Sequence, residues 1–166
     1  MNRVPDKPYE VIIANGVNLD LLGKREKHHY GSQSLLDLEA FLLEKSEALC
    51  NRLYDFKINL TFFQSNDEGK FLDELSKPWD GAIINPGAWT HTSLALADRL
   101  AALKLAFVEV HLSKLAQRED FRQRSFCAVH ALGTISGFGF DSYFIGLLAL
   151  LQHLKAKHDP KASPNL

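Results

Sequence analysis

The segment that decides the fold is the nearly continuous apolar run Tyr9-Glu10-Val11-Ile12-Ile13-Ala14, which leads directly into the polar stretch Asn15-Gly16-Val17-Asn18. An apolar run of this length without alternation is typical of a strand that is covered on both faces, as in a parallel sheet. Four further runs have the same character, at residues 58–63, 82–84, 106–110 and 133–136. The sequence therefore predicts five buried strands.

Helical patterns separate these strands. The first has a leucine stripe between Ser34 and Tyr54, and Ser34 with Asp37 forms a predicted capping box. The later patterns are a helix over residues 68–76 and a helix capped by Thr92 or Ser93 that runs through Leu103. They continue with a short turn of helix that residues 113–114 open, a further one over residues 119–124, and a helix over residues 143–155 capped by Asp141 or Ser142. Strand and helix alternate five times, so right-handed crossovers predict an α/β three-layer sandwich. We expect a flavodoxin-like parallel sheet of five strands in the order 2-1-3-4-5.

Length and composition are those of one globular domain. The 166 residues are 46% hydrophobic and 23% charged, and their net charge is −1. Neither nucleic acid nor an anionic membrane surface is therefore an expected partner, and no apolar run approaches the roughly 18 residues of a membrane span. We expect a single cytoplasmic domain over residues 1–166, with flexible tails at residues 1–8 and 156–166.

One connection is longer than the others. Residues 19–32 lie between the first strand and the first helix, and loops longer than about 12–15 residues in compact domains are usually functional or disordered. This loop carries Arg25 and Tyr30. A nearby cation lowers the pKa of a tyrosine, so that its phenolate can act as a base. Two interpretations stay open, an active-site lid over residues 19–32 and a merely solvated charged loop, and these residues taken alone favour the second.

Polar side chains gather where the predicted strands end. Ligands of open α/β sheets bind at the carboxyl ends of the strands. There the sequence places Asn15, Asn18, Asn85, Glu109 and His111. Many neutral hydrogen-bonding groups and few lysines suit a small polyhydroxylated molecule.

Glu109 and His111 are two residues apart on a predicted strand, so their side chains point to the same side. A carboxylate next to a histidine holds its tautomer and raises its pKa, as a general acid near neutral pH requires. Two alternatives stay open: an ion pair without catalytic function, and a metal site completed by His91. The spacing of these three residues matches no zinc signature.

Other ligand-binding classes fit less well. A flavin-binding module needs a hydroxyl-rich phosphate loop after the first strand, whereas residues 15–31 are long, basic and nearly free of hydroxyls. A phosphoacceptor signalling domain needs aspartates where Asn15 and Asn85 stand. A ligand-binding protein without catalytic activity remains an open alternative.

Several motifs occur in a fixed order between roughly Val11 and Leu151. They are residues 15–19, residues 22–26 with Tyr30-Gly31, Gln64-Ser65-Asn66-Asp67-Glu68-Gly69, Asn85-Pro86-Gly87-Ala88-Trp89-Thr90-His91-Thr92-Ser93, Glu109-Val110-His111-Leu112-Ser113, and residues 117–122 with Ser125. Together they resemble the type II 3-dehydroquinate dehydratases, and several motifs in order are far more specific than one. The resemblance implies a lyase that removes water from 3-dehydroquinate by anti elimination through an enolate. The product would be 3-dehydroshikimate, in the shikimate pathway or in quinate breakdown, and neither metal nor another cofactor would be used.

The resemblance also implies a role for each matching residue. Tyr30, as a tyrosinate helped by Arg25, would take the proton beside the carbonyl. His111, oriented by Glu109, would protonate the departing hydroxyl. Asn18 would position a water at the enolate oxygen. Asn85, His91 and Arg122 would hold ring hydroxyls, and the backbone amides of Leu112 and Ser113 would hold the carboxylate. Arg118 would contact the lid, and Asp98 would reach the site of a neighbouring subunit. The family often forms trimers that assemble into dodecamers.

Some positions depart from the family's pattern. Val17 and Lys27 stand where the family commonly has proline, Asp67 where it has histidine, and Trp89 where it has tyrosine. Residues 126–129 replace a more usual Tyr-Leu-Ser-Pro. None of these departures removes a proposed catalytic group, but they bear on lid dynamics and inhibitor preference.

Overall fold

The structure is a computed structural model that describes residues 7–24, 33–54 and 56–158. Its centre is a sheet of five parallel strands in the order β2-β1-β3-β4-β5. The strands are β1 (Tyr9–Asn15), β2 (Ile58–Gln64), β3 (Gly81–Asn85), β4 (Phe107–His111) and β5 (Gly133–Ser136). The predicted flavodoxin-like topology of order 2-1-3-4-5 is thereby confirmed.

Helices cover both faces of this sheet. They are α1 (Leu35–Leu53), α2 (Glu68–Leu75), α3 (Trp89–Thr92), α4 (Leu94–Leu103) and α5 (Asp141–His158). Single 3-10 turns lie at Leu19–Leu21, Leu115–Gln117, Asp120–Arg122 and Ala128–His130. The sequence did not predict α3, because it is one turn of only four residues and no apolar period can be recognised over that length.

Each face of the sheet has its own apolar core, because successive side chains of a strand point to opposite faces. Val11 and Ile13 of β1 pack with side chains of α1 and α5. Ile12 and Ala14 pack on the other face with side chains of α2 and α4. All four side chains are fully buried, which explains why the segment read as a continuous apolar run.

The helix ends were predicted with mixed success. The capping box of α1 is confirmed, since Ser34 Oγ accepts from the Asp37 amide at 3.3 Å and Asp37 Oδ2 accepts from the Ser34 amide at 2.7 Å. Ser93, not Thr92, caps α4. Ser142 lies inside α5, where its Oγ accepts from the Phe138 amide at 3.1 Å. That helix includes residues 156–158, which the sequence assigned to the tail.

The loops that follow β1 and β3 meet backbone to backbone. The Gly16 amide donates to the Asn85 carbonyl at 2.8 Å, and a Cβ at Gly16 would lie 2.4 Å from the Pro86 carbonyl oxygen. Gly87 has φ +62, and a Cβ there would lie 2.6 Å from the Val17 carbonyl oxygen. Only glycine fits at either position, so this Gly16–Gly87 junction fixes how the two strand ends approach each other.

Candidate active site

A cavity of about 160 Å³ lies at the carboxyl ends of β1, β3 and β4, where the sequence placed the site. Its walls are formed by Val17, Asn18, Leu19, Leu21, Leu22, Asn85, Gly87, Ala88, His91, His111, Leu112, Ser113, Leu115, Arg118 and Arg122. Seven of the predicted site residues are among them, namely Asn18, Asn85, His91, His111, Leu112, Ser113 and Arg122. The separate motifs of the sequence thus meet around one cavity.

Glu109 lies behind His111 and is fully buried. Its Oε1 is 2.6 Å from His111 Nε2 and also accepts a hydrogen bond from Thr90 Oγ1; its Oε2 accepts from Ser125 Oγ at 2.8 Å. Burial alone would raise the pKa of Glu109, but the hydrogen bonds and the charge of His111 hold that pKa below its ordinary value. The group is therefore an ionised acceptor at neutral pH.

The predicted Glu109–His111 pair is thus formed, with both side chains on one side of β4. Because an ionised carboxylate only accepts hydrogen bonds, Nε2 of His111 must carry a hydrogen. Nδ1 is then the ring nitrogen left for a ligand in the cavity that His111 lines. In the neutral ring Nδ1 accepts, and in the imidazolium it donates a proton.

Two hydroxyls that complete this cluster were not among the predicted site residues. Thr90 lies on α3 and is fully buried. Ser125 Oγ accepts from the Cys127 amide at 3.1 Å and from the Ala128 amide at 2.9 Å, which directs its single hydrogen to Glu109. Both residues stand in the matching motifs, but a hydroxyl carries no charge that would distinguish it from other serines and threonines in the sequence.

Asn85 and His91 present defined hydrogen-bonding groups in the cavity wall. Asn85 Oδ1 accepts from the Gly87 amide at 3.1 Å, and its Nδ2 donates to Tyr143 OH at 2.8 Å. His91 Nδ1 is 2.7 Å from the Arg124 carbonyl oxygen. A carbonyl cannot donate, so Nδ1 of His91 carries the hydrogen and Nε2 of the neutral ring is an acceptor.

Asn18 is held in place by a residue that the sequence-based site did not include. Its backbone has φ 66, and its amide donates to Asn66 Oδ1 at 2.7 Å. Asn66 Nδ2 in turn donates to Asp20 Oδ1 at 3.1 Å. Asn66 therefore fastens the start of the predicted lid, residues 19–32, to the end of β2, although only residues 19–24 of that loop are described.

Two guanidinium groups make one side of the cavity cationic. Arg118 Nη2 donates to Ser113 Oγ at 2.7 Å, and Arg122 Nε lies 3.3 Å from Glu119 Oε2. The segment after Leu112 and Ser113 forms only the 3-10 turn Leu115–Gln117. A turn this short has little macrodipole, so the two backbone amides would hold a carboxylate as hydrogen-bond donors, beside the charge of the arginines.

Four predicted site residues are not in the described cavity wall, and one of them, Glu109, lies behind His111. Arg25 and Tyr30, together with Lys27, lie outside the described residues. Asp98 is exposed on α4 and is not among the residues that line the cavity. Asn15, which the sequence gave no ligand contact, accepts from Tyr143 OH at 2.6 Å.

The metal alternative finds no support in the donor geometry. Within residues 7–24, 33–54 and 56–158, no three His, Cys, Asp or Glu side chains are arranged to hold an ion. The two histidines of the cavity instead contact the Arg124 carbonyl and Glu109.

Among residues 7–24, 33–54 and 56–158, no helix combines the length and apolarity that crossing a bilayer requires.

Comparison with known proteins gives this cavity its family context. The family model described as "Dehydroquinase class II" matches residues 9–151. A protein of Gloeothece citriformis named 3-dehydroquinate dehydratase is 45% identical over 150 residues, which cover 89% of this chain and 94% of that protein. One of Carboxydothermus hydrogenoformans with the same name is 43% identical, covering 93% of this chain and 97% of that protein.

Solved structures agree with the sequence comparisons. The crystal structure of type II dehydroquinase from Butyrivibrio crossotus has a TM-score of 0.78 at 33% identity and covers 87% of this chain and 98% of its own. That from Propionibacterium acnes has a TM-score of 0.75 at 32% identity and covers 90% of this chain and 99% of its own. On its matched length, its sequence relatives and its fold, the chain belongs to the class II dehydroquinase family.

Proposed function

We propose that this chain is a 3-dehydroquinate dehydratase of the shikimate pathway, which eliminates water from 3-dehydroquinate through an enolate to give 3-dehydroshikimate. The observation that carries the proposal is the buried Glu109–His111 pair, 2.6 Å apart, at the wall of a cavity whose other polar groups suit a hydroxylated carboxylate. The names of the relatives agree with it.

His111 is the proposed general acid. The leaving hydroxyl departs as water only if it receives a proton, and a positioned acid of this kind typically contributes 10²–10⁴-fold to a rate. Glu109 stabilises the imidazolium and fixes its tautomer, so that Nδ1 gives up the proton. The hydroxyls of Thr90 and Ser125 keep the Glu109 carboxylate ionised and in place.

Tyr30 is the proposed base, with Arg25 lowering its pKa. A base on the lid and an acid on β4 reach the substrate from different parts of the site, as an anti elimination requires. Asn18 positions a water at the enolate oxygen, where stabilising the developing charge lowers the barrier. Closure of the lid also excludes bulk water.

The remaining groups bind the substrate. Asn85, His91 and Arg122 hold ring hydroxyls, and the amides of Leu112 and Ser113 hold the carboxylate. We also propose trimers that assemble into a dodecamer, in which Asp98 contacts a neighbouring subunit's substrate. The exposure of Asp98 on α4, away from this chain's cavity wall, supports that part of the proposal.

The decisive experiment follows enone formation by ultraviolet absorbance when purified protein meets 3-dehydroquinate. We expect turnover by the wild type, none by Tyr30→Phe, and a strongly reduced rate for His111→Ala, with folded protein in each case. A flat trace from folded wild-type protein refutes the dehydratase function and favours a binding protein. Full activity of Tyr30→Phe refutes the assignment of the base, and inactivation by a chelator favours the metal alternative.

A further inference from the structure

Three buried side chains form a continuous hydrogen-bonded relay behind the cavity. Asn85 Nδ2 donates to Tyr143 OH at 2.8 Å, and Tyr143 OH donates to Asn15 Oδ1 at 2.6 Å. The exposed fractions are 3% for Asn85, 0% for Tyr143 and 3% for Asn15. The relay therefore joins the ends of β3 and β1 through a helix residue that does not itself line the cavity.

The direction of the hydrogen bonds is determined by the donors present. Gly87 N–H can only donate, so the Asn85 atom 3.1 Å from it must be the carbonyl oxygen. The amide NH₂ of Asn85 then faces Tyr143. A phenol has one hydrogen, and because Tyr143 OH accepts from Asn85, that hydrogen goes to Asn15.

The phenol keeps this hydrogen at neutral pH. Burial raises the pKa of Tyr143 far above its ordinary value, and the hydrogen bond from Asn85 offsets only part of that rise. The relay is thus neutral around pH 7, and the direction of its hydrogen bonds is fixed there. Asn15, left without a ligand contact by the sequence, is the acceptor at its end.

We infer that Tyr143 is a positioning residue for substrate binding: it holds the amide of Asn85 so that the second N–H of this residue, a donor, is the group offered to the ligand. The inference rests on the proposed dehydratase function, in which Asn85 holds a ring hydroxyl. That hydroxyl oxygen must then act as the acceptor in its contact with Asn85.

Removing the phenol oxygen should release the amide. In Tyr143→Phe only the Gly87 amide still distinguishes the two ends of the Asn85 side chain, so flipped rotamers that present an acceptor become populated. The contacts of Glu109 and His111 involve none of the three relay residues. We therefore expect KM for 3-dehydroquinate to rise about threefold to tenfold, the effect of one ordinary hydrogen bond, while kcat stays within about twofold.

A double-mutant cycle tests whether Tyr143 acts through Asn85. We compare the wild type, Tyr143→Phe, Asn85→Ala and the double variant. If Tyr143 positions Asn85, the Tyr143→Phe change raises KM in the wild-type background but adds nothing once the amide is gone. Equal increments in both backgrounds overturn the inference, as does an unchanged KM in Tyr143→Phe.

Matched variants separate positioning from loss of structure. Tyr54→Phe removes a phenol oxygen from a half-buried tyrosine at the end of α1, outside the cavity wall, and should leave both kinetic constants unchanged. If Tyr143→Phe does not fold, Asn15→Ala removes the acceptor at the other end of the relay and should raise KM in the same way; an unchanged KM there is equally contrary to the inference. Folded wild-type protein without dehydratase activity refutes the proposed function instead.

Discussion

The Glu109 carboxylate accepts from three side chains that come from different parts of the chain. Its partners lie at position 90 on α3, at position 111 on β4 and at position 125 in the segment before the Ala128–His130 turn. A buried charge persists only where such partners compensate its lost hydration. The cluster therefore converts a costly buried carboxylate into a fixed negative charge beside the proposed acid.

We expect Glu109→Gln to fold and to lower kcat about tenfold to 10³-fold, with a smaller effect on KM. The amide keeps the shape of the side chain, but it no longer stabilises an imidazolium at His111. Steady-state kinetics by enone absorbance measure the change. Glu47→Gln, an exposed change of the same chemistry on α1, is the control, and a kcat equal to that of the wild type in Glu109→Gln contradicts the role of the carboxylate.

At the scale of the elements, apolar patterning located all five strands, but it placed several ends one residue early. Strand β4 was predicted to stop at Val110, yet it continues to His111, because backbone pairing with Ser136 of β5 does not depend on an apolar side chain. Helix α3 and the turns at Leu19–Leu21 and Ala128–His130 were missed, because so few residues show no period. The central residues of strands and helices can thus be predicted from apolar patterning, whereas the polar ends of these elements depend on backbone pairing and local geometry.

Helix α2 offers a test of one departure from the family's pattern. Asp67 Oδ1 accepts from the Lys70 amide at 3.0 Å and so caps this eight-residue helix. We expect Asp67→Ala to lower the free energy of unfolding by about 1 kcal/mol, the usual value of an N-cap. Urea unfolding measures it. The control is Asp73→Ala, which removes an exposed carboxylate within the same helix; an equal loss in both variants argues against the cap.

At the scale of the whole molecule, the cavity exists only after distant segments have come together. Tyr143 and Asn15, which are hydrogen-bonded, are 128 residues apart in the chain. The sequence predicted which strand ends would meet, because parallel strands align their carboxyl ends. It could not predict the relay or the support of Glu109, because a single sequence shows no spatial partner for a buried tyrosine or serine.

The stability of the molecule should decrease towards acidic pH in two stages. Burial and the charge of Lys157 lower the pKa of His153 from 6.5, so protonation favours the unfolded chain once the pH falls below that value. The lowered pKa values of Glu109 and Asp37 act in the same direction below about 4.5 and 3.8. Full stability from these groups is therefore present above pH 6.5.

Urea unfolding at a series of pH values tests this dependence. We expect the free energy of unfolding to fall modestly between pH 7 and 5.5 and more steeply below 4.5. The variant His153→Gln should lose the first stage alone, and Glu109→Gln should flatten the second. A wild-type stability that rises on acidification contradicts the assignment.

The Gly16–Gly87 junction has a consequence for any attempt to redesign ligand choice. The nearest atom that a Cβ would meet at either position is a carbonyl oxygen of the backbone, so no exchange of a neighbouring side chain makes room. The adjacent positions 17 and 88 line the cavity without this constraint. In a library randomised at positions 16, 17, 87 and 88, active clones should therefore carry only glycine at 16 and 87 but various residues at 17 and 88. Positions 17 and 88 are thus the ones to vary when altered specificity is wanted.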